Sequence, residues 1–200
     1  MYQKILYYVV SIFFLAFLSY MYLDVIVATY FYHLRGFIKE FFSQYVTKLG
    51  KSEWILIGSL LIYFFYKKRN ITFAYQGLFV FTSVAASGIL VNILKVIFSR
   101  YRPKAYFQDG SFGFDLFAFK TKYIFNSFPS GHSVTAMGFA VALMLLFPKY
   151  RVWAFLFGAI VASSRFVITA HYLSDVLMGG LLGGLISYGL YYGYFKKKIS

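Results

Sequence analysis

The segment ITFAYQGLFVFTSVAASGILVNILKVIF, residues Ile71 to Phe98, decides the class of fold. It continues for 28 residues with one charged side chain, Lys95, close to its end. A helix needs about 20 apolar residues to cross the hydrocarbon core of a bilayer, so this segment is long enough to span one. Its apolar run is unbroken rather than alternating, which favours a transmembrane helix over a barrel strand.

The composition extends this inference to the whole chain of 200 residues. Hydrophobic residues make up 60% of it and charged residues only 13%, whereas soluble domains average about 45–50% and 25%. A soluble fold of this size could not bury so much apolar surface, so lipid must be the main solvent. Cysteine is absent, which excludes disulfides and thiolate metal sites.

Six apolar runs predict an all-α integral membrane bundle of six transmembrane helices. The predicted spans are Ile5–Leu23, Trp54–Tyr66, Ile71–Phe98, Ser133–Phe147, Val152–Ala170 and Val176–Phe195. The first run is similar to a signal peptide, but it is too long for one and no clear small-residue cleavage site follows, which favours an uncleaved span. Neither an internal repeat nor a linker divides the chain, so we expect residues 1–200 to form one membrane-embedded domain.

Charged and aromatic residues interleave between the first two spans, from Asp24 to Lys51. This pattern is typical of an amphipathic helix that lies along the membrane interface, which is our preferred interpretation. The alternative is a continuation of the first span out of the membrane.

Charge asymmetry predicts the orientation. With a cytoplasmic N-terminus, nine basic residues and no acidic residue fall on the inner side: Lys4, Lys67, Lys68, Arg69, Lys149, Arg151, Lys196, Lys197 and Lys198. All six acidic residues then fall on the outer side, as the positive-inside rule expects. We therefore predict an inner (plasma) membrane protein with both termini in the cytoplasm. The net charge of +14 is explained by topology and anionic headgroups rather than by a nucleic-acid partner.

Three polar clusters stand at the predicted outer ends of the last four spans. They are Lys95 with Arg102 and Pro103, then Pro129 to His132, then Ser164–Arg165 with His171 and Asp175. If the first cluster is helical, Lys95 and Arg102 share a face and Pro103 ends that helix. Because the predicted topology brings all three clusters to one side of the membrane, we expect them to form one site.

The clusters contain the side chains that a phosphate site needs. Arg102 offers a planar fork to phosphate oxygens, and Lys95 offers a point charge. Arg165 lies in an apolar run and should therefore face a polar cavity. Ser130 and Gly131 open the fourth span, so we expect their backbone N–H groups to point at the phosphate with the helix dipole behind them.

Two histidines carry the expected chemistry. His171 and Asp175 are one helical turn apart, so the carboxylate can accept from one ring nitrogen and leave the other free to attack phosphorus. His132 would protonate the departing oxygen and then activate water. The three cations would supply the electrostatic stabilisation that a metal ion otherwise supplies, so we expect neither a metal nor a cofactor.

These residues make the chain similar to the type 2 phosphatidic acid phosphatase superfamily. The family signature is K-x6-R-P, then P-S-G-H, then S-R-x5-H-x3-D, and every defining position is matched between Lys95 and Asp175. The resemblance implies a metal-independent phosphatase in which the position of His171 is the nucleophile and that of His132 is the acid.

The substrate class follows from the membrane setting and the resemblance. We expect an envelope lipid phosphate, namely lipid A phosphate, undecaprenyl diphosphate or phosphatidylglycerol phosphate, with a slight preference for lipid A. The outer loop from Lys104 to Phe128 is expected to set that choice. The alternatives are a lipid phosphotransferase with the same phosphohistidine and a non-catalytic lipid-binding or translocating protein. The glycines at 179 and 183 are interpreted as a helix-packing pair rather than a phosphate loop.

Overall fold

The structure is a computed structural model that describes residues 2–199, with the side chains of Tyr2 and Lys4 left out. Lys4, predicted on the inner side, therefore lies outside the described side chains. The α-helices are α1 (Tyr2–Leu18), α2 (Asp24–His33), α3 (Phe37–Phe41), α4 (Thr47–Leu49), α5 (Ser52–Tyr66), α6 (Ile71–Phe98), α7 (Pro103–Asp109), α8 (Gly131–Leu146), α9 (Arg151–Val167), α10 (Leu173–Leu190) and α11 (Lys196–Ile199). Turns of π-helix at Ser19–Leu23, Phe42–Val46 and Tyr191–Phe195 join consecutive helices, and the loops hold 3₁₀ turns at Tyr123–Phe125 and Pro148–Tyr150. Between residues 2 and 199, β pairing is limited to one isolated bridge, so the all-α prediction is confirmed.

Large apolar side chains cover much of the outer surface of the bundle. Trp54 and Trp153 each expose 72% of their surface, and soluble monomers rarely tolerate large contiguous patches of this kind. Three helices are long and apolar enough to cross a membrane, namely Ile5–His33, Ile71–Phe98 and Leu173–Ile199, and Gly131–Leu146 is a shorter apolar helix. The membrane character follows from these helices, while the six-span layout stays a prediction.

The first helix is longer than predicted. It continues through Asp24 to His33, where Leu34 leaves the helical region and Gly36 adopts a φ of +103°. The predicted end at Leu23 is therefore wrong, and an interfacial helix cannot begin at Asp24. The physical reason is that the Asp24 carboxylate is buried against polar partners inside the protein, so its charge does not end the apolar helix. A separate helical segment follows from Phe37 to Leu49.

The remaining helices differ from the predicted spans mainly at their ends. Helix α6 matches its predicted bounds. Helix α8 begins two residues before the predicted Ser133, because Ser130 caps it by accepting from the Ser133 N–H at 3.4 Å. Helix α9 ends at Val167 instead of Ala170, and Thr169 beyond it has a φ of +58°.

Helix α8 packs closely against α9 and α10 because glycines line the contacts. A Cβ added to Gly183 would lie 2.1 Å from the Val134 carbonyl oxygen, and one added to Gly179 would lie 2.7 Å from the Ser130 oxygen. Only glycine permits this backbone approach, so the interpretation of Gly179 and Gly183 as a packing pair is confirmed. The close approach sets the position of the start of α10 relative to the start of α8, where the predicted site lies.

Candidate active site

The three predicted clusters meet at one end of the bundle. Arg102 donates from Nη1 to the Ala170 carbonyl at 2.9 Å, and this nitrogen is 3.3 Å from His171 Nε2. Within the third cluster, the backbone N–H of His171 donates to the Arg165 carbonyl at 3.1 Å. The Lys95 ammonium approaches the second cluster, 3.5 Å from where a Cβ would stand on Gly131. The structure thus brings together the residues predicted to share a site.

Arg102 reaches this position from a different local structure than predicted. Helix α6 ends at Phe98 because Ser99 adopts a left-handed conformation with a φ of +40°. Arg102 is then the residue before α7, and Pro103 occupies the first turn of that helix. The prediction that Pro103 ends a helix carrying both Lys95 and Arg102 is therefore wrong. Proline suits the first turn of a helix, where its missing N–H costs nothing.

His171 lies in the loop between α9 and α10 and is buried, with 2% of its surface exposed. Burial, reinforced by the nearby charges of Arg102 and Arg165, lowers the pKa of its ring to about 3 against the opposing effect of Asp175. The ring is therefore neutral near pH 7. Its Nδ1 lies 2.7 Å from the Ser127 carbonyl oxygen, which can only accept. The proton is thus assigned to Nδ1, which leaves the Nε2 lone pair available.

The orientation of His171 differs from the predicted contact with Asp175. The closest approach of the Asp175 carboxylate to Nδ1 is 3.6 Å, longer than a hydrogen bond. Its Oδ2 instead accepts from the Ser127 hydroxyl at 2.5 Å and from the Tyr172 N–H at 2.9 Å. Because Asp175 lies in the first turn of α10, capping its own helix takes precedence over binding the ring. Asp175 therefore acts on His171 by its charge at 3.6 Å and by holding Ser127, whose carbonyl binds the ring.

A buried ion cluster that the sequence analysis missed lies behind Asp175. Arg100 is fully buried and bridges two carboxylates, Asp175 through Nη1 and Asp24 through Nη2 at 2.6 Å. Ser174 completes the cluster by donating to Asp24 from its hydroxyl at 2.5 Å and from its N–H at 2.9 Å. The rings of Tyr20, Phe112, Phe114 and Tyr172 surround the guanidinium at 4.7–5.7 Å. A lone acid in an apolar run signals a buried partner, so Asp24 could have been found from the sequence.

Arg165 has different contacts from those of Arg100. Its Nη1 donates to the Thr47 hydroxyl at 2.5 Å, and its buried Nε has no hydrogen-bond partner among the described residues. The same short segment touches His132, because a Cβ on Gly50 would lie 3.2 Å from the His132 Cδ2 atom. The segment Thr47–Gly50 therefore forms one wall of the site. Its sequence contains no signal of that role.

His132 stands in the first turn of α8, half-buried. Within residues 2–199 its ring has no hydrogen-bond partner, and the charges that act on it are those of Arg165, Lys95, Glu53 and Arg102. Ser130, by contrast, is fully engaged: its N–H donates to the Asp175 carbonyl at 3.1 Å, and its hydroxyl bonds Ser133. The prediction that the Ser130 N–H points at a phosphate is therefore wrong, because α10 approaches too closely.

The arrangement suits an anion rather than a metal ion. Across residues 2–199, no three His, Asp or Glu side chains are grouped to hold a metal. The side chains around the two histidines are mostly cationic, and Arg102 and Arg165 are buried. Buried cations without carboxylate partners are costly unless a ligand neutralises them. The geometry therefore supports binding of a multiply charged anion next to His171 Nε2.

Comparison with known proteins gives a family match and several similar proteins. Residues 76–199 match the family described as the PAP2 superfamily. The chain is 37% identical over 163 residues to a lipid A 1-phosphatase of Rhizobium etli, covering 75% of this chain and 68% of that protein. It is 28% identical over 159 residues to an undecaprenyl-diphosphatase of Sulfolobus acidocaldarius, covering 78% of this chain and 66% of that protein.

A solved structure shares the fold. The crystal structure of a transmembrane PAP2-type phosphatidylglycerolphosphate phosphatase from Bacillus subtilis superposes with a TM-score of 0.70 over 98% of both chains, at 24% identity. The likeness to a transmembrane protein agrees with the apolar helices of this chain.

Proposed function

The chain belongs to the PAP2 superfamily and is an enzyme of the phosphatase class, and from that premise we propose that it removes phosphate from a membrane lipid through a phosphohistidine at His171. The observation that carries the proposal is the state of that ring. It is buried and neutral, its Nδ1 is engaged by the Ser127 carbonyl, and its Nε2 faces Arg102. A neutral imidazole oriented through one nitrogen is a competent nucleophile at the other.

The first half-reaction forms the phosphoenzyme. The Nε2 lone pair of His171 attacks phosphorus, the bond from phosphorus to the lipid oxygen breaks, and the oxygen leaves with its electron pair. Burial and the neighbouring cations lower the pKa of His132 to about 4, and a bound phosphate offsets those cations and favours the protonated ring. Protonated His132 then donates a proton to that oxygen, so the lipid departs as an alcohol or, from a diphosphate, as a monophosphate. His132 is suited to this role because its ring has no protein partner among residues 2–199.

The second half-reaction releases phosphate. His132, now neutral, takes a proton from a water molecule, and the water oxygen attacks phosphorus. The bond from phosphorus to Nε2 breaks, and its electron pair returns to the His171 ring. Inorganic phosphate leaves, and both histidines are back in their starting states.

The cations stabilise the charge that spreads over the phosphoryl oxygens in each transition state. Lys95, Arg102 and Arg165 converge on the histidines from three different elements. The start of α8 adds the Gly131 N–H and the positive end of the helix dipole. Preorganised charges of this kind supply much of the rate acceleration in phosphoryl transfer, and the proposal therefore includes no metal and no cofactor.

The membrane arrangement is part of the proposal. We place residues 1–200 in the inner membrane as one domain with six spans, both termini in the cytoplasm and the active site on the periplasmic side. The segment Phe37–Leu49 would lie at the outer interface, since Phe37 exposes 77% and Tyr45 62% of their surfaces while Thr47 faces the site. The short helices α5, α8 and α9 would span a locally thinned region of the bilayer.

The proposed substrate is an envelope lipid phosphate of the lipid A type. The relatives named lipid A 1-phosphatase support this choice, with identities of 37% and 36%. Undecaprenyl diphosphate and phosphatidylglycerol phosphate stay in the substrate class because proteins similar in sequence or fold carry those names.

The test is phosphate release by the purified protein in detergent with a chelator present. The panel contains lipid A, undecaprenyl diphosphate, phosphatidylglycerol phosphate and phosphatidic acid. The variant His171→Asn keeps an amide near the Ser127 carbonyl but has no nucleophile, and His33→Asn is the matched control outside the site. We expect release that the chelator and the control leave unchanged and that His171→Asn abolishes. Full activity of His171→Asn would contradict the proposal, and transfer to a second lipid without free phosphate would identify a phosphotransferase.

A further inference from the structure

A second basic cavity lies next to the active site. Its volume is about 420 Å³, and its lining includes Arg35, Lys39 and Lys104. The cavity and the site share two chain segments: Lys104 is two residues after Arg102, and Thr169 in the cavity wall is two residues before His171. Two residues of extended chain span at most about 7 Å. The cavity is therefore within reach of a single headgroup that also occupies the active site.

The three cations of the cavity have no acidic partners. Within the described range 2–199, none of them forms an ion pair, and no carboxylate lines the cavity. Lys39 is nevertheless held in place, because its ammonium donates to the carbonyls of Phe31 at 2.6 Å and Tyr32 at 3.2 Å. An ammonium has three donors, so at least one is left for a ligand. Partial burial and the nearby charge of Arg35 lower the pKa of Lys39, as expected where like charges are gathered.

Two stacked aromatic rings form part of the wall of the cavity. Tyr32 from α2 stacks on Phe107 from α7, with ring centroids 3.9 Å apart and planes inclined by 13°. On the side nearest the active site, the buried Thr169 hydroxyl has no hydrogen-bond partner among the described residues. Its oxygen has almost no accessible surface, so the cations rather than this hydroxyl are the groups that the cavity offers to an anion. The three cations that line the cavity suit an anion with several oxygens.

We propose that this cavity binds a second phosphate of the lipid substrate while the first phosphate is at His171. The proposal rests on the proposed function and extends it, since it restricts the preferred substrate to headgroups that carry two anionic groups. Its physical basis is that a second phosphate neutralises cations that the protein leaves unpaired. A neighbouring anionic lipid offers the same chemistry, and the experiment separates the two sources.

The experiment measures binding, so that it does not depend on turnover. Two ligands are compared in nanodiscs of neutral lipid: lipid A with both phosphates, and lipid A with only the phosphate that would be removed. Binding is measured in the His171→Asn background, with and without Arg35→Gln and Lys104→Gln together. Lys39 is left intact because it also caps the first helix. Lys122→Gln is the matched control, an exposed lysine of the outer loop that does not line the cavity.

We expect the His171→Asn parent to prefer the two-phosphate ligand by about tenfold, the size of one charge-assisted contact. The Arg35→Gln/Lys104→Gln pair should reduce that preference below about threefold, and Lys122→Gln should retain it. The proposal is overturned if the parent shows no preference, if the pair retains it, or if Lys122→Gln loses it equally.

Nanodiscs containing phosphatidylglycerol separate the two sources of the anion. If a neighbouring lipid fills the cavity, phosphatidylglycerol will change the affinity for both ligands equally. This change should occur only while Arg35 and Lys104 are present. That result would overturn the proposal. Phosphate release by the wild-type protein is measured in parallel. A binding preference without any release would contradict the proposed function alone and support the second subsite.

Discussion

Arg100 and Arg165 are both buried among apolar helices, but the protein partners them in opposite ways. Arg100 contacts two carboxylates, the Ser174 hydroxyl and four aromatic rings. Arg165 donates to one threonine hydroxyl and faces no carboxylate among the described residues. The Nε atom of each arginine is buried without a hydrogen-bond partner within residues 2–199, so the two differ in their carboxylate partners. A buried cation that is paired with carboxylates serves the architecture, whereas one without a carboxylate partner is available to an anionic ligand. The difference separates the structural half of the site from the half that binds phosphate.

The largest effect expected is on catalysis by His171→Asn. Loss of the nucleophile should reduce kcat by about 1000-fold or more, because removing one member of a catalytic unit disables the whole. The reduction in kcat is measured by steady-state phosphate release from the preferred lipid. Thermal unfolding should change little, since the amide can still bond the Ser127 carbonyl. A variant within tenfold of the wild type would place the nucleophile elsewhere.

The comparison of the two arginines is tested by replacing each with methionine. Arg100→Met leaves Asp24 and Asp175 buried and unpaired, which should cost about 3–5 kcal/mol of stability. Arg165→Met removes a cation that has no acidic partner, so it should keep or raise the stability and reduce kcat by about 100-fold. Thermal unfolding in detergent and phosphate release, measured on both variants, check the two expectations. Equal stability losses in the two variants would remove the distinction drawn between them.

The wall of the site near Arg165 is tested by Thr47→Val. The isosteric side chain keeps the volume but removes the oxygen that accepts from the Arg165 Nη1. We expect kcat to fall by about tenfold, the value of one charge-assisted hydrogen bond, with the unfolding temperature unchanged. Thr82→Val is the matched control, because its hydroxyl bonds only carbonyls of its own helix. Activity that falls equally in both variants would argue against a positioning role for Thr47.

The neutral, buried state of His171 also predicts a pH dependence of stability. The pKa of His171 is lowered by burial from 6.5 to about 3, so the unfolded state binds more protons between these values. The contribution of this group to stability is complete above pH 6.5 and is lost as the pH falls towards 3, by at most about 1.4 kcal/mol per pH unit. Unfolding temperatures measured across that range should fall less steeply for His171→Asn than for the wild type. Parallel curves would show that the ring is not buried in its neutral form.

The site was predictable where its residues follow a spacing, and unpredictable where they depend on tertiary approach. Lys95, Arg102, His132 and His171 stand in motifs that carry their own chemistry, and each motif lies at or next to a helix end on the same side of the bundle. Thr47 meets Arg165 across 118 positions of the chain, and no local pattern reports such a contact.

The errors in the predictions have local physical causes. Pro103 suits both the end and the first turn of a helix, and the left-handed Ser99 decides for the latter. The first helix continued past Asp24 because a distant arginine satisfies that carboxylate. The Ser130 N–H is not available to a phosphate because glycines let α10 approach α8, where the Asp175 carbonyl accepts from it. The apolar pattern of the sequence does not encode the distance between these two helices.

The most direct test of the account is to trap the phosphoryl group on the enzyme. The variant His132→Gln cannot activate water, and p-nitrophenyl phosphate needs no acid to release its leaving group. Incubation of the two, alkaline quenching and mass spectrometry of the peptides should therefore find the phosphoryl group on His171. The account predicts this adduct in His132→Gln and its absence when His171→Asn is added. A phosphoryl group on another residue, or release of p-nitrophenol in repeated turnovers by the double variant, would contradict it.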